Sequence, residues 1–477
     1  MTAIGSNEGK RLANRFGAGT VLWLCVAAIF AISLPNLSDP MIRYDDYPAL
    51  FADGDLFWEK TLNEGRWVNY IWHLRKVVTP AWLNFAIYQA LWALFAATLA
   101  TVVVRQKGLT FFKGTLALLI LVSPSALLIS LWFNPLLPGL GLVAILGLLA
   151  CRVSNRTLNL LLPIFVVTTF IAYTTFPLLL LAVSLFRQDE RSIPKLIGLG
   201  ALFTVSFVVA ILLTYTINWS VHGIFGVPLA EWREATPAHN LIELRSNLPK
   251  LWETGNAFIT KSSFDFFPAQ VFHIALMIGA TAVLVRYAPL EALYIYAGLI
   301  TGVTLIVLQV LKLGVSIPAR ALIFVWVFYA TAVVRAAEIL TTKHAFAGRM
   351  ACNAALLIVG SFLLQSYKQM NQYQGWQFET RQIGQMINSF EGPILFKGHS
   401  MLSASAIPAG VQSDLAFQFR MQHLVGRNVI MCAANEALCK GSGGTLKNQG
   451  HCPAYQNSKM AQLCVFQKNN TAARQLT

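Results

Sequence analysis

The sequence predicts an α-helical polytopic membrane protein that ends in a small α/β domain. Three observations carry that prediction. Hydrophobic residues fill 56% of the 477 positions and charged residues only 12%, against roughly a quarter in a soluble domain. The apolar residues run continuously over lengths near the ~20 residues that a helix needs to cross ~30 Å of hydrocarbon, unlike the short alternating segments of a barrel. Beyond Tyr367 the composition changes, with polar residues interleaved at an amphipathic period. The formal net charge of +15 does not point to nucleic acid, because Lys and Arg sit singly between apolar runs and not in a basic stripe interleaved with aromatics.

The elements follow in order. Lys10, Arg11 and Arg15 precede the run Ala18 to Pro35, which reads as a retained anchor with a cytoplasmic N-terminus. Further apolar runs cover 81 to 104, 111 to 131, 139 to 151, 158 to 174, 175 to 187, 196 to 218, 269 to 285, 289 to 311, 321 to 336 and 350 to 366. That makes about eleven helices, with 139 to 151 and 175 to 187 short of a full crossing. Counted alternately, the inner connections hold Arg105/Lys107/Lys113, Arg152/Arg156, Arg187/Arg191/Lys195, Arg286 and Arg335/Lys343/Arg349, so each is basic. The outer connections are 38 to 80, "FNPLLPG" near Asn134, 219 to 268, 312 to 320, and the region from 367 onward. Around "YTTFP" (Tyr173 to Pro177) one bent helix is an alternative to two short ones, and the basic bias of the later inner loops favours two. A membrane domain thus spans 1–366 and an external domain 367–477, where "GPILFK" and "LCVFQ" read as strands and "KGSGGT" as a turn.

Cys25, Cys151 and Cys352 lie in or beside apolar spans, where a thiol acts as a small hydrophobe. Cys432, Cys439, Cys452 and Cys464 form an even set in the terminal domain. No C-x2-C spacing accompanies them and only His451 is near, so two disulfides in an oxidising compartment are expected in preference to zinc, with three connectivities open. Charge alternation and cysteine usage agree on a bacterial inner membrane with the terminal domain in the periplasm.

The candidate chemistry sits in "MIRYDDYPALFADGDLFWEKTLNEGRW", the acid-rich outer loop after the first span. Asp45 and Asp46, flanked by Tyr44 and Tyr47, form a carboxylate pair close to the membrane surface in an aromatic setting, suited to general-base work. Glu59, Arg66, Trp67 and His73 add a carboxylate, a guanidinium, an indole face and an imidazole to the same loop. Carboxylates accept hydroxyl hydrogen bonds, Trp faces cover the apolar side of a pyranose, and Arg grips phosphate bidentately. No Walker loop, G-x-G-x-x-G, H-E-x-x-H or G-x-S-x-G occurs, and no cofactor or metal is expected.

An N-in first helix followed by a loop that opens "RYDDY" and continues to "GRW", in a chain of this length, resembles the phage-type serotype-converting glucosyltransferases of bacterial O-antigen and the wider GT-C architecture. The resemblance implies that Asp45 or Asp46 deprotonates the acceptor hydroxyl, and that Arg320 and Lys312, which flank one short outer loop, meet the donor phosphate. It implies a polyprenyl-phosphate sugar, with glucose as the sugar, as donor, a lipopolysaccharide O-chain or related surface glycan as acceptor, and membrane lipid as surroundings. Two other classes compete. A flippase of lipid-linked sugars should carry ionisable positions inside its spans, whereas the acids here crowd one outer loop. A glycan polymerase or ligase calls for an arginine-rich outer loop, and 219 to 268 holds only Arg233 and Arg245.

Overall fold

A computed structural model describes residues 5–51, 55–73, 77–104, 110–188, 190–388, 394–397, 399–433 and 464–467. The side chains of 5–18, 45, 55–56, 232, 395, 397, 402 and 464–467 lie outside that description, as do Arg105, Lys107, Cys439, His451, Cys452 and the "KGSGGT" stretch altogether. The chain divides into two compact units. The first comprises Met1–Ile32, Gly54–Leu74 and Asn84–Ser366, and the second Ser33–Asp53, Arg75–Leu83 and Tyr367–Thr477.

Helices in chain order are α1 (Gly5–Leu37), α2 (Asp55–Glu64), α3 (Trp67–His73), α4 (Ala81–Val103), α5 (Thr110–Leu121), α6 (Pro124–Ile129), α7 (Phe133–Ala150), α8 (Asn155–Ala172), α9 (Phe176–Arg187) and α10 (Ile193–His222). There follow α11 (Leu241–Ser246), α12 (Leu248–Ser262), α13 (Phe267–Tyr287), α14 (Pro289–Leu313), α15 (Ile323–Lys343), α16 (Ala345–Ile387), α17 (Ala406–Ala409) and α18 (Asp414–Val425). Among the described residues nine helical segments are long and apolar enough to cross a membrane, and α5 and α9 are shorter apolar helices. The protein is therefore an α-helical, multi-pass membrane protein.

Three boundaries differ from the sequence reading. The expected helix 111 to 131 breaks at Val122–Ser123, because Ser123 caps α6 by accepting from Ala126 N–H and Pro124 opens the new helix. The expected outer loop "FNPLLPG" is helical, inside the span Pro124–Ala150. Its Asn134 is buried and accepts from Asn84 Nδ2 at 2.8 Å, which satisfies the polar group that made the stretch look like a loop. At "YTTFP" α8 and α9 are separate helices joined by a short turn. The last span continues without a break through Tyr367 to Ile387, so α16 is about 65 Å long, twice the hydrocarbon thickness.

Within the first unit the span that contains α15 is the most buried of the nine described, with 78% of its apolar stretch covered by protein, whereas α13 has 11% covered. Glycines set the closest packing. A Cβ on Gly298 or Gly302 of α14 would stand 2.5 Å from Phe328 or 2.4 Å from Phe324 of α15, the close helix approach that small residues one turn apart permit. The same helices share a buried ion cluster. Arg335 donates to Glu291 through Nε at 2.6 Å and Nη2 at 2.9 Å, also donates to Glu338, and Arg191 pairs with Glu291 at 3.1 Å.

In the second unit β1 (Ile394–Lys397) pairs parallel with β2 (Val429–Met431) and antiparallel with β3 (Cys464–Gln467). Ile394, Phe396, Val429 and Met431 are buried, the alternation of a sheet with one covered face. Cys432, just past β2, is disulfide-bonded.

Candidate functional site

The segment "NEGRW" builds a charged corner between α2 and α3. Gly65 adopts φ +67°, the left-handed conformation that ends a helix at little cost only for glycine, and its N–H bonds to Thr61 O at 3.1 Å. Residues two apart on a helix do not face each other. The reversal at Gly65 brings them together, and Arg66 Nη2 lies 2.6 Å from Glu64 Oε2. Arg233, from the turn Glu231–Arg233, reaches the other oxygen of Glu64 at 3.5 Å. One carboxylate thus stands between two half-buried guanidiniums, and Arg66 also lies 5.4 Å from the centre of the Tyr173 ring.

Aromatic rings gather beside this corner. Trp58 meets Trp67 at 5.8 Å, Tyr70 at 5.1 Å and His222 at 4.6 Å between ring centres, and Trp67 meets His222 at 5.6 Å. Trp67 is anchored: its Nε1–H donates to Asn218 Oδ1 at 2.8 Å, while Asn218 Nδ2 donates to Leu62 O and Gly226 O. Thr61 Oγ1 gives its one proton to Trp58 O at 2.7 Å, so the 2.8 Å contact with His222 requires a proton on His222 Nε2. Trp58 keeps 37% of its surface exposed, and the cluster opens there. Below Arg66, α3 docks on the α8–α9 turn, where Asn69 Nδ2 donates to Ala172 O at 2.9 Å. Asn69 Oδ1 and Thr175 Oγ1 are buried there without a hydrogen-bond partner among the described residues.

The other residues singled out in the sequence fall as follows. Glu59 is exposed and accepts from Asn63 Nδ2 at 3.4 Å. His73 is buried, with its ring 4.5 Å from that of Phe57. Lys312 donates from Nζ to Ala238 O while Ala238 N–H returns a bond of 2.8 Å to Lys312 O, so its ammonium is tied to backbone. Arg320 stacks on Trp132, 3.9 Å from the ring centre. Asp45 and Asp46 belong to the second unit, on a 3-10 turn over Tyr44–Leu50. The Asp45 side chain lies outside the description, and Asp46 is fully buried.

The sequence reading did not anticipate Asp39 of the second unit. Arg420 grips it with Nη1 2.6 Å from Oδ1 and Nη2 on Oδ2, and Arg381 Nε lies 3.3 Å away. Tyr47 packs against this pair, near Phe51, Phe419 and His423. Burial pushes the Tyr47 hydroxyl well above its ordinary value. Burial also drives the His423 imidazole below its ordinary value, and the Arg420 charge adds to that while Asp39 opposes it. Arg233 and His222 were visible only as members of other segments, and no local pattern joins them to "NEGRW". Models of known protein families, curated protein sequences and solved structures yield no match to the chain.

Proposed function

We propose that the protein is an inverting membrane glycosyltransferase that moves a sugar, in the first instance glucose, from a polyprenyl phosphate to a surface glycan at the external face of a bacterial inner membrane. The observation that carries this reading is the corner in which Glu64 separates Arg66 and Arg233 beside Trp58, Trp67, Tyr70 and His222. Guanidiniums suit a phosphate monoanion or diester, and indole faces suit the apolar side of a sugar ring. In this reading Arg66 and Arg233, which meet at Glu64 beside the aromatic cluster, take the donor phosphate in preference to Lys312 and Arg320. A general base, the role that the resemblance gives to Asp45 or Asp46, accepts the proton of the acceptor hydroxyl, whose oxygen attacks the anomeric carbon. The bond from that carbon to the phosphate oxygen breaks, and polyprenyl phosphate leaves with its charge held by the guanidiniums.

The test is transfer by the purified protein of radiolabelled glucose from a polyprenyl phosphate to isolated lipopolysaccharide, paired with linkage analysis of surface glycans in a host with and without the gene. Arg66→Ala and Arg233→Ala should each raise KM for the donor at least about tenfold, the loss of one charge-assisted contact. Asp45→Asn and Asp46→Asn, assayed separately, should include at least one inactive variant; full activity in both discards the base assignment. A second reading, movement of lipid-linked sugars across the membrane, is favoured by one observation, the buried Arg191–Glu291–Arg335–Glu338 cluster between helices. An unaltered glycan in the gene-deleted host, with lipid-linked sugar accumulating on one leaflet, would support it.

A further inference from the structure

Between the Arg233 turn and α13, the helices α11 and α12 carry large apolar side chains on the outside of the first unit. Leu241 and Ile242 are each 82% exposed and Trp252 77%. On α12, Leu248, Trp252, Gly255 and Ile259 are all exposed and recur at intervals of four, three and four residues, which is one face of a helix. A second face is covered: Thr254 and Ser262 are buried and Leu251 and Phe258 partly so. The third face is polar and exposed, with Glu253, Asn256 and Lys261. A helix of a water-facing loop needs two such sectors, one for protein and one for water. α12 has three, and the apolar exposed one lies next to the covered one.

The covered sector fixes the depth of the helix. Thr254 Oγ1 accepts from Ile317 N–H at 3.0 Å, and Asn247, just before α12, donates to Leu311 O at 2.9 Å. Leu311 lies in the last turn of α14, and Ala319 opens the next span. α12 is thus fastened to the short connection where two spans end, which is the level of the bilayer interface. Its C-terminus joins α13 through Phe264 and Asp265, two consecutive non-glycine residues with φ +52° and +61°. That strained corner ends one helix and starts a span within four residues. The exposed apolar row continues over the corner into Phe266 and Phe267 at the start of the lipid-facing span α13.

We infer that α11 and α12 form an interfacial platform that lies in the headgroup region of the bilayer, with Leu241, Ile242, Leu248, Trp252 and Ile259 seated among the upper acyl chains and Glu253, Asn256 and Lys261 in water. The occupant of the apolar row is phospholipid of the same membrane. Continuity with the lipid-facing surface of α13, and a tryptophan at the depth where aromatic residues concentrate at membrane interfaces, single it out.

The test uses the full-length protein in nanodiscs made with ordinary or brominated phosphatidylcholine, and reads the fluorescence lost between the wild type and Trp252→Phe, which isolates Trp252 from the other indoles. Lipid brominated near the headgroup should quench the Trp252 component at least about twofold more than lipid brominated near the chain ends, and aqueous iodide should quench it weakly. Strong iodide quenching with no bromolipid effect would place Trp252 in water and overturn the platform. Shielding from both quenchers, together with a dimer by mass photometry that Trp252→Glu converts to a monomer, would assign the row to a second copy and overturn it equally. Ile259→Glu serves as an independent variant, expected to lower quenching of Trp252 by the shallow bromolipid as the helix lifts from the chains.

Discussion

Arg66 and Glu64 form a 2.6 Å ion pair across a glycine that holds φ +67°. A Cβ on that glycine would stand 2.6 Å from Thr214 Cγ2 of α10. Gly65→Ala therefore meets two obstacles, a left-handed backbone that costs an L-residue about 1–2 kcal/mol and a steric clash. It should lower the thermal midpoint in detergent and weaken donor binding, because Arg66 turns away from Arg233. Thr214→Ser removes the clashing methyl and keeps the hydroxyl bond to Ala210 O, so the double variant should recover only part of the loss. An unchanged midpoint in Gly65→Ala would refute the corner geometry.

Asp39 holds the buried guanidinium of Arg420 in the second unit. Arg420 is 2% exposed, and its guanidinium has Asp39 as its counter-charge with Thr380 Oγ1 on Nε at 3.2 Å. Asp39→Ala strands a buried cation, an effect worth about 3–5 kcal/mol. Arg381 contacts the same carboxylate but is half exposed, so Arg381→Ala should cost less than about 1 kcal/mol. Hydrogen exchange of α18 amides measures both, and equal protection in the two variants would show that the bidentate pair is not what holds α18.

What could be read from the sequence is what depends on near neighbours. Hydropathy located the spans, since each buries its own backbone polar groups whatever surrounds it. "EGRW" offered Arg66 and Trp67 as candidates, but not Glu64, the partner two residues from Arg66, because the pairing depends on the left-handed turn at Gly65. Asn134 misled because a buried amide paired with Asn84, 50 positions earlier, looks locally like a loop residue. Arg233 lies 169 positions from Glu64 and Arg420 lies 381 from Asp39, separations at which a single chain carries no pairing signal. Adjacency to the first span gave weight to Asp45 and Asp46, yet adjacency says nothing of burial, and the Asp46 side chain is fully enclosed.

Acid should destabilise the second unit in two phases. Burial alone would raise the Asp414 carboxyl, but hydrogen bonds from His399 Nδ1 (3.0 Å), Ser400 Oγ (2.8 Å) and Met401 N–H outweigh it and hold the group below its ordinary range. A carboxyl depressed in the folded state contributes stability above its unfolded value and loses it as pH falls through the folded one. His423 is likewise depressed, by burial and by Arg420. The unfolded chain then takes up that proton first, from about pH 6.5 downward, and stability falls there. The thermal midpoint should be level above about pH 7, decline below about pH 6.5, and decline again near pH 4 and below. His423→Phe, which keeps a ring beside Tyr47, should remove the first decline and leave the second. A midpoint that rises on acidification would reverse both assignments.

The approach of α14 to α15 rests on Gly298 and Gly302, one turn apart, facing Phe328 and Phe324, also one turn apart. A methyl on Gly302 would come 2.4 Å from Phe324 Cε2, so the helices must separate or the ring must leave its place, an overpacking cost of about 1–3 kcal/mol. Separation would also stretch the Arg335–Glu291 bonds that join the same two helices. Gly302→Ala should lower the thermal midpoint, and Phe324→Leu should restore part of it by vacating the space the methyl needs. Gly279 of α13 supplies the control, since a Cβ there meets nothing within 4 Å. Alanine at that site should be neutral or stabilising by about 0.5–1 kcal/mol through helix propensity. Equal responses at Gly302 and Gly279 would mean that α14 and α15 are not in close contact, and the ion cluster between them would then lose its packing support.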